Sequence, residues 1–168
     1  MTQDSSNGTV IERVFGAPRD LVWQAWTDPA HVAKWWGPGG LKTRVDELDL
    51  RVGGAWHYVM TVPDGAEYPQ HGVFSEITPP ERIVTSAVFE YGPGMTQTAV
   101  MTYAFEDLGA QTKLTMTHTP SEAFDEQMIA GVTAGWNANW DSFVDYVPTA
   151  RRVGAREAAS QRSPPSAP

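Results

Sequence analysis

The chain has 168 residues, 41% of them hydrophobic and 19% charged, a balance suited to one domain with some tail. Its net charge of −8 is uneven: from Thr149 onward four arginines face only Glu157, a net +3, which leaves −11 on the part before it. An acidic domain repels phosphate backbones and anionic lipid surfaces, so neither nucleic acid nor a membrane is expected as a partner, and the absence of cysteine excludes disulfides, thiolate nucleophiles and cysteine–zinc sites.

Met1–Gly8 is polar and lacks the apolar run of a signal peptide, and no stretch approaches the ~20 apolar residues of a membrane span. The expectation is a cytoplasmic protein with residues 1–8 disordered. Thr9–Phe15 is rich in β-branched residues and reads as a strand. Pro18 suits a first helical turn, and Leu21, Val22, Ala25 and Trp26 recur at helical spacing. Asp28-Pro29 ends that helix and starts a short second one toward Trp35. His31 on it is expected to be solvated.

Gly37-Pro38-Gly39-Gly40 reads as a loop, and strands follow: Thr43–Leu50, the stretch around Trp56, Tyr58 and Met60, Gln70–Ile77, Arg82–Glu90, Thr96–Glu106 and Thr112–His118. Trp56, Tyr58 and Met60 share one face by alternation. Thr119-Pro120-Ser121-Glu122 fits a capping box for a long helix. Phe124, Met128, Val132, Trp136, Trp140, Phe143 and Val147 form its apolar stripe. Pro148 is expected to stop the helix, leaving 149–168 as a disordered tail. Six consecutive strands joined by short turns must be antiparallel.

Four segments in this order resemble a known superfamily: RVFGAPRDLVWQAWTDPAHVAKWWGPGG (Arg13–Gly40), GGAWHYVMTVPDG (Gly53–Gly65), HGVFSEITPPERI (His71–Ile83) and GWNANWDSFVDYV (Gly135–Val147). They are similar to the START-like (SRPBCC, helix-grip) superfamily, in the branch related to the C-terminal domain of the activator of Hsp90 ATPase. The resemblance implies an α+β fold over residues 9–148. In it a curved antiparallel sheet of about seven strands, with two short helices after the first, grips a long C-terminal helix around an internal cavity. The pair Trp35-Trp36, the Gly53-Gly54-x-Trp56 turn and Gly135-Trp136 are also similar to features of the calicheamicin self-sacrifice resistance proteins, whose backbone is cleaved as it quenches the enediyne diradical.

The candidate cavity lining is Trp35, Trp36, Trp56, Tyr58, Met60, Phe74, Phe89, Met101, Met116, Met128, Val132, Gly135 and Trp136. Flat rings and thioethers suit an aromatic ligand, but the same set would also serve as an ordinary filled core. Gly131 and Gly135 each cost the helix about 1 kcal/mol relative to alanine. Either room for a ligand or close contact with a strand would offset that.

His71, His118 and Tyr58 are weak candidates for acid–base work. Glu67, Glu76 and Glu90 could be buried acids or lie outside. The turn glycines Gly39, Gly40, Gly92, Gly94 and Gly109 could donate a hydrogen to a bound diradical or simply permit positive φ. The histidines show no metal-ligand spacing, and no cofactor is expected.

These features lead to a binding protein for a hydrophobic, aromatic or polyketide-like small molecule, acting in carriage, sequestration or antibiotic resistance. The alternatives are self-sacrifice toward an enediyne, a polyketide cyclase/aromatase-type enzyme and an Hsp90 co-chaperone-like module.

Overall fold

The computed structural model describes residues 8–37, 41–90, 96–122 and 125–161, with side chains through Val147. Seven strands form one sheet: β1 (Thr9–Phe15), β2 (Lys42–Leu48), β3 (Ala55–Thr61), β4 (Glu67–Thr78), β5 (Arg82–Glu90), β6 (Thr96–Asp107) and β7 (Thr112–Pro120). Their spatial order is β1-β7-β6-β5-β4-β3-β2, and every neighbouring pair is antiparallel. Helices α1 (Arg19–Thr27) and α2 (Pro29–Trp35) join the two edge strands β1 and β2 across one face of the sheet. The long helix α3 (Glu126–Gln161) packs on β1, α1 and α2. Register shifts at Val45/Glu47 and Phe74/Glu76 add residues on one strand, which bends a sheet. This is the α+β helix-grip architecture. Among the described residues no helix is long and apolar enough to cross a membrane.

Alternation along the strands separates the two faces. Trp56, Tyr58 and Met60, then Ile83, Thr85, Ala87 and Phe89, then Ala99, Met101, Tyr103 and Phe105 all turn inward and are buried. At one end this face meets Trp26, Trp35, Trp36 and Phe143, whose rings stack at centroid distances of 4.4–6.1 Å. Those distances match the favoured aromatic pairings.

Two junctions register α3. Arg13 on β1 donates to Asp141 Oδ1 at 2.7 Å and to Asn137 Oδ1 at 2.9 Å, with its guanidinium 5.9 Å from the Trp140 ring. His31 is buried, with Nδ1 2.5 Å from the Tyr146 hydroxyl. The expectation of a solvated His31 therefore fails. It shares the inward face of α2 with Val32 and Trp35, and α3 covers that face.

Both ends of α3 differ from the sequence reading. Thr119 and Pro120 stay in the ladder as partners of Val100 and Ala99, so they cap nothing. Asp125 caps instead: its carboxylate accepts the Met128 amide at 2.8 Å. At the far end the helix runs through Pro148 to Gln161. Proline removes one backbone donor, but the alanines and arginines after it are strong helix formers. Of the other expected regions, residues 1–7 and 162–168, together with Phe124, lie outside the described residues.

Gly72 on β4 shows how tightly the sheet constrains its own sequence. It pairs with Trp56, and a Cβ there would lie 1.9 Å from the Ser86 carbonyl oxygen and 2.7 Å from Trp56 Nε1. Gly72→Ala must push β4 from β5 or displace the indole. Its expected cost is about 1–3 kcal/mol or more, typical of overpacking. Gly16→Ala, where a Cβ meets nothing within 4 Å, is the control. Urea melts of both check this, and equal midpoints would contradict it.

Candidate functional site

The core is filled at one end and open at the other. Among Trp26, Trp56, Tyr58, Phe74 and Tyr103 there remains only about 20 Å³, room for about one water. Toward the β3–β4 hairpin, between the sheet and the first half of α3, lies a cavity of about 310 Å³. That is the lower end of ligand-site volumes. Its floor is Met60, Gln70, Phe89, Gln97 and His118 from five successive strands. Met128, Gly131, Val132, Gly135, Trp136 and Asn139 of α3 form the roof, and Trp36 and Gly37 form one wall.

The wall is fixed from three sides. Trp36 Nε1 donates to Gln70 Oε1 at 3.0 Å, and the Trp36 carbonyl accepts from Thr43 Oγ1 at 2.6 Å. The Gly37 amide donates to Asn139 Oδ1 at 2.8 Å. Gly37 has φ +99°, a region that favours glycine, so the turn there has a sequence cause. The Gln70 amide nitrogen faces the Met60 sulfur at 3.4 Å.

The glycines of the roof behave differently. A Cβ built on Gly131 or on Gly135 would meet nothing within 4 Å. Close packing on a strand is thus not what offsets their cost to the helix. Both are exposed and lie at the cavity edge.

Of the expected lining residues, the cavity gathers Trp36, Met60, Phe89, Met128, Val132, Gly135 and Trp136. Trp35, Met101 and Met116 are core residues, each with at most 1% of its surface exposed. Trp56, Tyr58 and Phe74 belong to the filled end, where Trp56 Nε1 donates to Thr85 Oγ1 at 2.7 Å. They face inward as alternation requires, but α1 and α2 cover that end of the sheet.

The acid–base candidates separate as well. Burial pushes the Tyr58 phenol far above its ordinary range, and Tyr58 does not line the cavity. His71 sits on the outer face, with Nε2 3.2 Å from Glu90 Oε2. Glu67 and Glu76 pair with Arg44 and Arg82 on that same face. Only His118 reaches the cavity. Its ring lies 6.3 Å from that of Phe89 at an interplanar angle of 24°. Burial lowers the His118 pKa and favours the neutral imidazole.

Gly109 is a turn glycine with φ +85° at the β6–β7 tip, while Gly39, Gly40, Gly92 and Gly94 lie outside the described residues. No cluster of three or more metal-ligating side chains occurs among the described residues. The polar lining residues Gln70, Gln97 and Asn139 were missed from sequence. Alternation marks them: Gln70 shares a face with Phe74, and Gln97 with Met101.

A curved sheet gripping a helix over an apolar cavity defines a START-like protein. Residues 16–148 match the family described as Activator of Hsp90 ATPase homolog 1-like protein, and the chain belongs to that family. Solved structures agree. A protein of Chromobacterium violaceum is 26% identical over 84% of this chain and 96% of its own, with a TM-score of 0.74. One of Mycobacterium smegmatis is 25% identical over 84% and 88%, with a TM-score of 0.67. One of Arthrobacter aurescens is 24% identical over 88% and 90%, with a TM-score of 0.76, a likeness of fold. No curated protein matches the chain.

His118 gives the cavity a titration signature. The unfolded imidazole titrates near 6.5, and the folded one lower. Above about 6.5 both states are neutral and the contribution of His118 to stability is complete. As pH falls below 6.5 the unfolded chain takes up the proton first, so stability drops until the folded value is passed. His118→Leu should flatten the stability–pH curve in that window by up to about 1.4 kcal/mol per pH unit. Parallel denaturation curves from pH 7 to 5 test it, and an unchanged slope would refute it.

Proposed function

We propose that this protein binds an apolar, ring-containing small molecule in the cavity beneath the first half of α3, for carriage, sequestration or resistance. The observation that carries this reading is the pair of glycines in the roof. Two mid-helix glycines cost the helix about 2 kcal/mol together, and no packing contact at either position repays it. On this reading they leave room at the edge of a cavity walled by Trp36, Phe89, Trp136 and methionines. Flat rings and thioethers suit the faces and edges of an aromatic ligand.

Acid–base turnover has less support, since His118 is the one titratable side chain among the described lining residues and burial lowers its pKa. The Hsp90-partner alternative rests on the family description, and an internal cavity is not a docking face.

Titration with N-phenyl-1-naphthylamine, a neutral dye that brightens in apolar sites, should give saturable fluorescence at one equivalent. Gly135→Leu should abolish that signal, because its side chain enters the cavity. Gly135→Ala should raise the stability of the free protein by about 1 kcal/mol while weakening the dye. A dye that does not bind, or one that binds Gly135→Leu equally well, would sink the proposal.

One observation favours a second reading, sacrifice of the backbone to a diradical-forming drug. Gly131 and Gly135 line the cavity, and a radical bound there would meet a glycine Cα hydrogen as one candidate donor. Incubation with an activated enediyne should then yield two discrete fragments cut near these residues by mass spectrometry. An intact chain rules it out.

A further inference from the structure

The cavity has a polar edge, and the way its hydrogen bonds are used points to a ligand chemistry. Phe89 is the register partner of both Gln70 and Gln97, so the three form one transverse row of the sheet. With strands ~4.8 Å apart, the two amides flank the Phe89 ring at roughly 10 Å from each other. His118 stacks beside the same ring from β7. None of these groups carries a fixed charge, and burial disfavours the charged form of His118.

The two amides differ in what they already do. Gln70 Oε1 accepts from Trp36 Nε1, so its carbonyl serves the wall of the cavity. Gln97 Oε1 is buried and has no hydrogen-bond partner among the described residues. Buried carbonyl oxygens normally find a donor. This one belongs to a side chain of the cavity lining, next to an aromatic ring.

We infer that the ligand is an uncharged ring compound bearing a hydroxyl or N–H that donates to Gln97 Oε1 while its ring lies against Phe89. This rests on the binding reading above. An ionised ligand would be desolvated here without an opposite charge in the lining, which opposes its entry. A ring with no donor would leave the Gln97 carbonyl unmet, and a buried site built to hydrogen-bond a group discriminates against analogues lacking it.

Calorimetric titration with four compounds on one ring system tests this: naphthalene, 2-methoxynaphthalene, 2-naphthol and 2-naphthoate. The naphthol should bind roughly fivefold or more tightly than naphthalene, the gain of one buried hydrogen bond. The methoxy compound, which cannot donate, should resemble naphthalene, and the carboxylate should bind weakest. Gln97→Leu should keep naphthalene binding and erase the advantage of naphthol. Gln97→Met, closer in side-chain length, serves the same comparison should the leucine variant not fold.

Equal binding of naphthol and naphthalene overturns the inference, since a water would then satisfy the carbonyl. So does a naphthol advantage that survives in the Gln97 variants, a methoxy compound as tight as naphthol, or a carboxylate that binds tightest. Failure of all four to bind the wild type overturns the binding reading itself, and this inference with it.

Discussion

The structure depends on how Trp36 and Gly37 are held. In two adjacent residues, the indole N–H is tied to Gln70 on β4, the Trp36 carbonyl to Thr43 on β2, and the Gly37 amide to Asn139 on α3. These bonds are buried or partly buried, and a group left unsatisfied there costs about 1–3 kcal/mol. The Trp36 ring is thereby fixed against Tyr58 and Trp136 at 5.0 and 5.5 Å. It stands as a partition. On one side Trp26, Trp35 and Phe143 fill the space between helices and sheet. On the other side no described residue of comparable bulk occupies that space, and the cavity remains.

The same partition explains the uneven hold on α3. From Trp136 to Val147 the helix buries Trp136, Trp140, Phe143 and Val147, and Arg13 clamps it from β1. Before Trp136 it is mostly exposed, Met128 included, and it contains Gly131 and Gly135. Few buried apolar contacts and two poor helix formers leave this stretch more weakly held than Trp136–Val147. That more weakly held stretch is the one that roofs the cavity.

Much of this was legible in the sequence. Element order, strand parity and the α3 stripe follow from alternation and 3.6-residue spacing, because burial on one face imposes those periods directly. The failures were places where one local signal was outweighed, by tertiary context or by the residues that follow. Thr119-Pro120 reads as a cap, but β6 offers it a ladder. Pro148 reads as a stop, but the residues after it are good helix formers. His31 reads as surface, but α3 lies over it.

The site shows the same division. Alternation identifies inward residues but not which end of the sheet the helices fill, so Trp56, Tyr58 and Phe74 were grouped with Met60 and Phe89. The glycine pair left two readings open from sequence. The space around an added Cβ removes the strand-contact reading and leaves the other as a proposal.

Membership of the family establishes the scaffold, and function on a scaffold this widely shared lies in its site. Here the site is a small enclosure whose polar groups are amides and one imidazole biased toward neutrality. Proton-transfer chemistry needs groups whose pKa values are pushed toward their task and within reach of the reacting atom. Tyr58 is raised far from neutrality at the filled end, and His71 lies on the opposite face of the sheet. What remains among the described lining residues is apolar surface, three amides and one imidazole, and the binding proposal rests on these. The wall at Trp36, the open positions at Gly131 and Gly135, and the Gln97 carbonyl without a partner among the described residues all lie on this one surface.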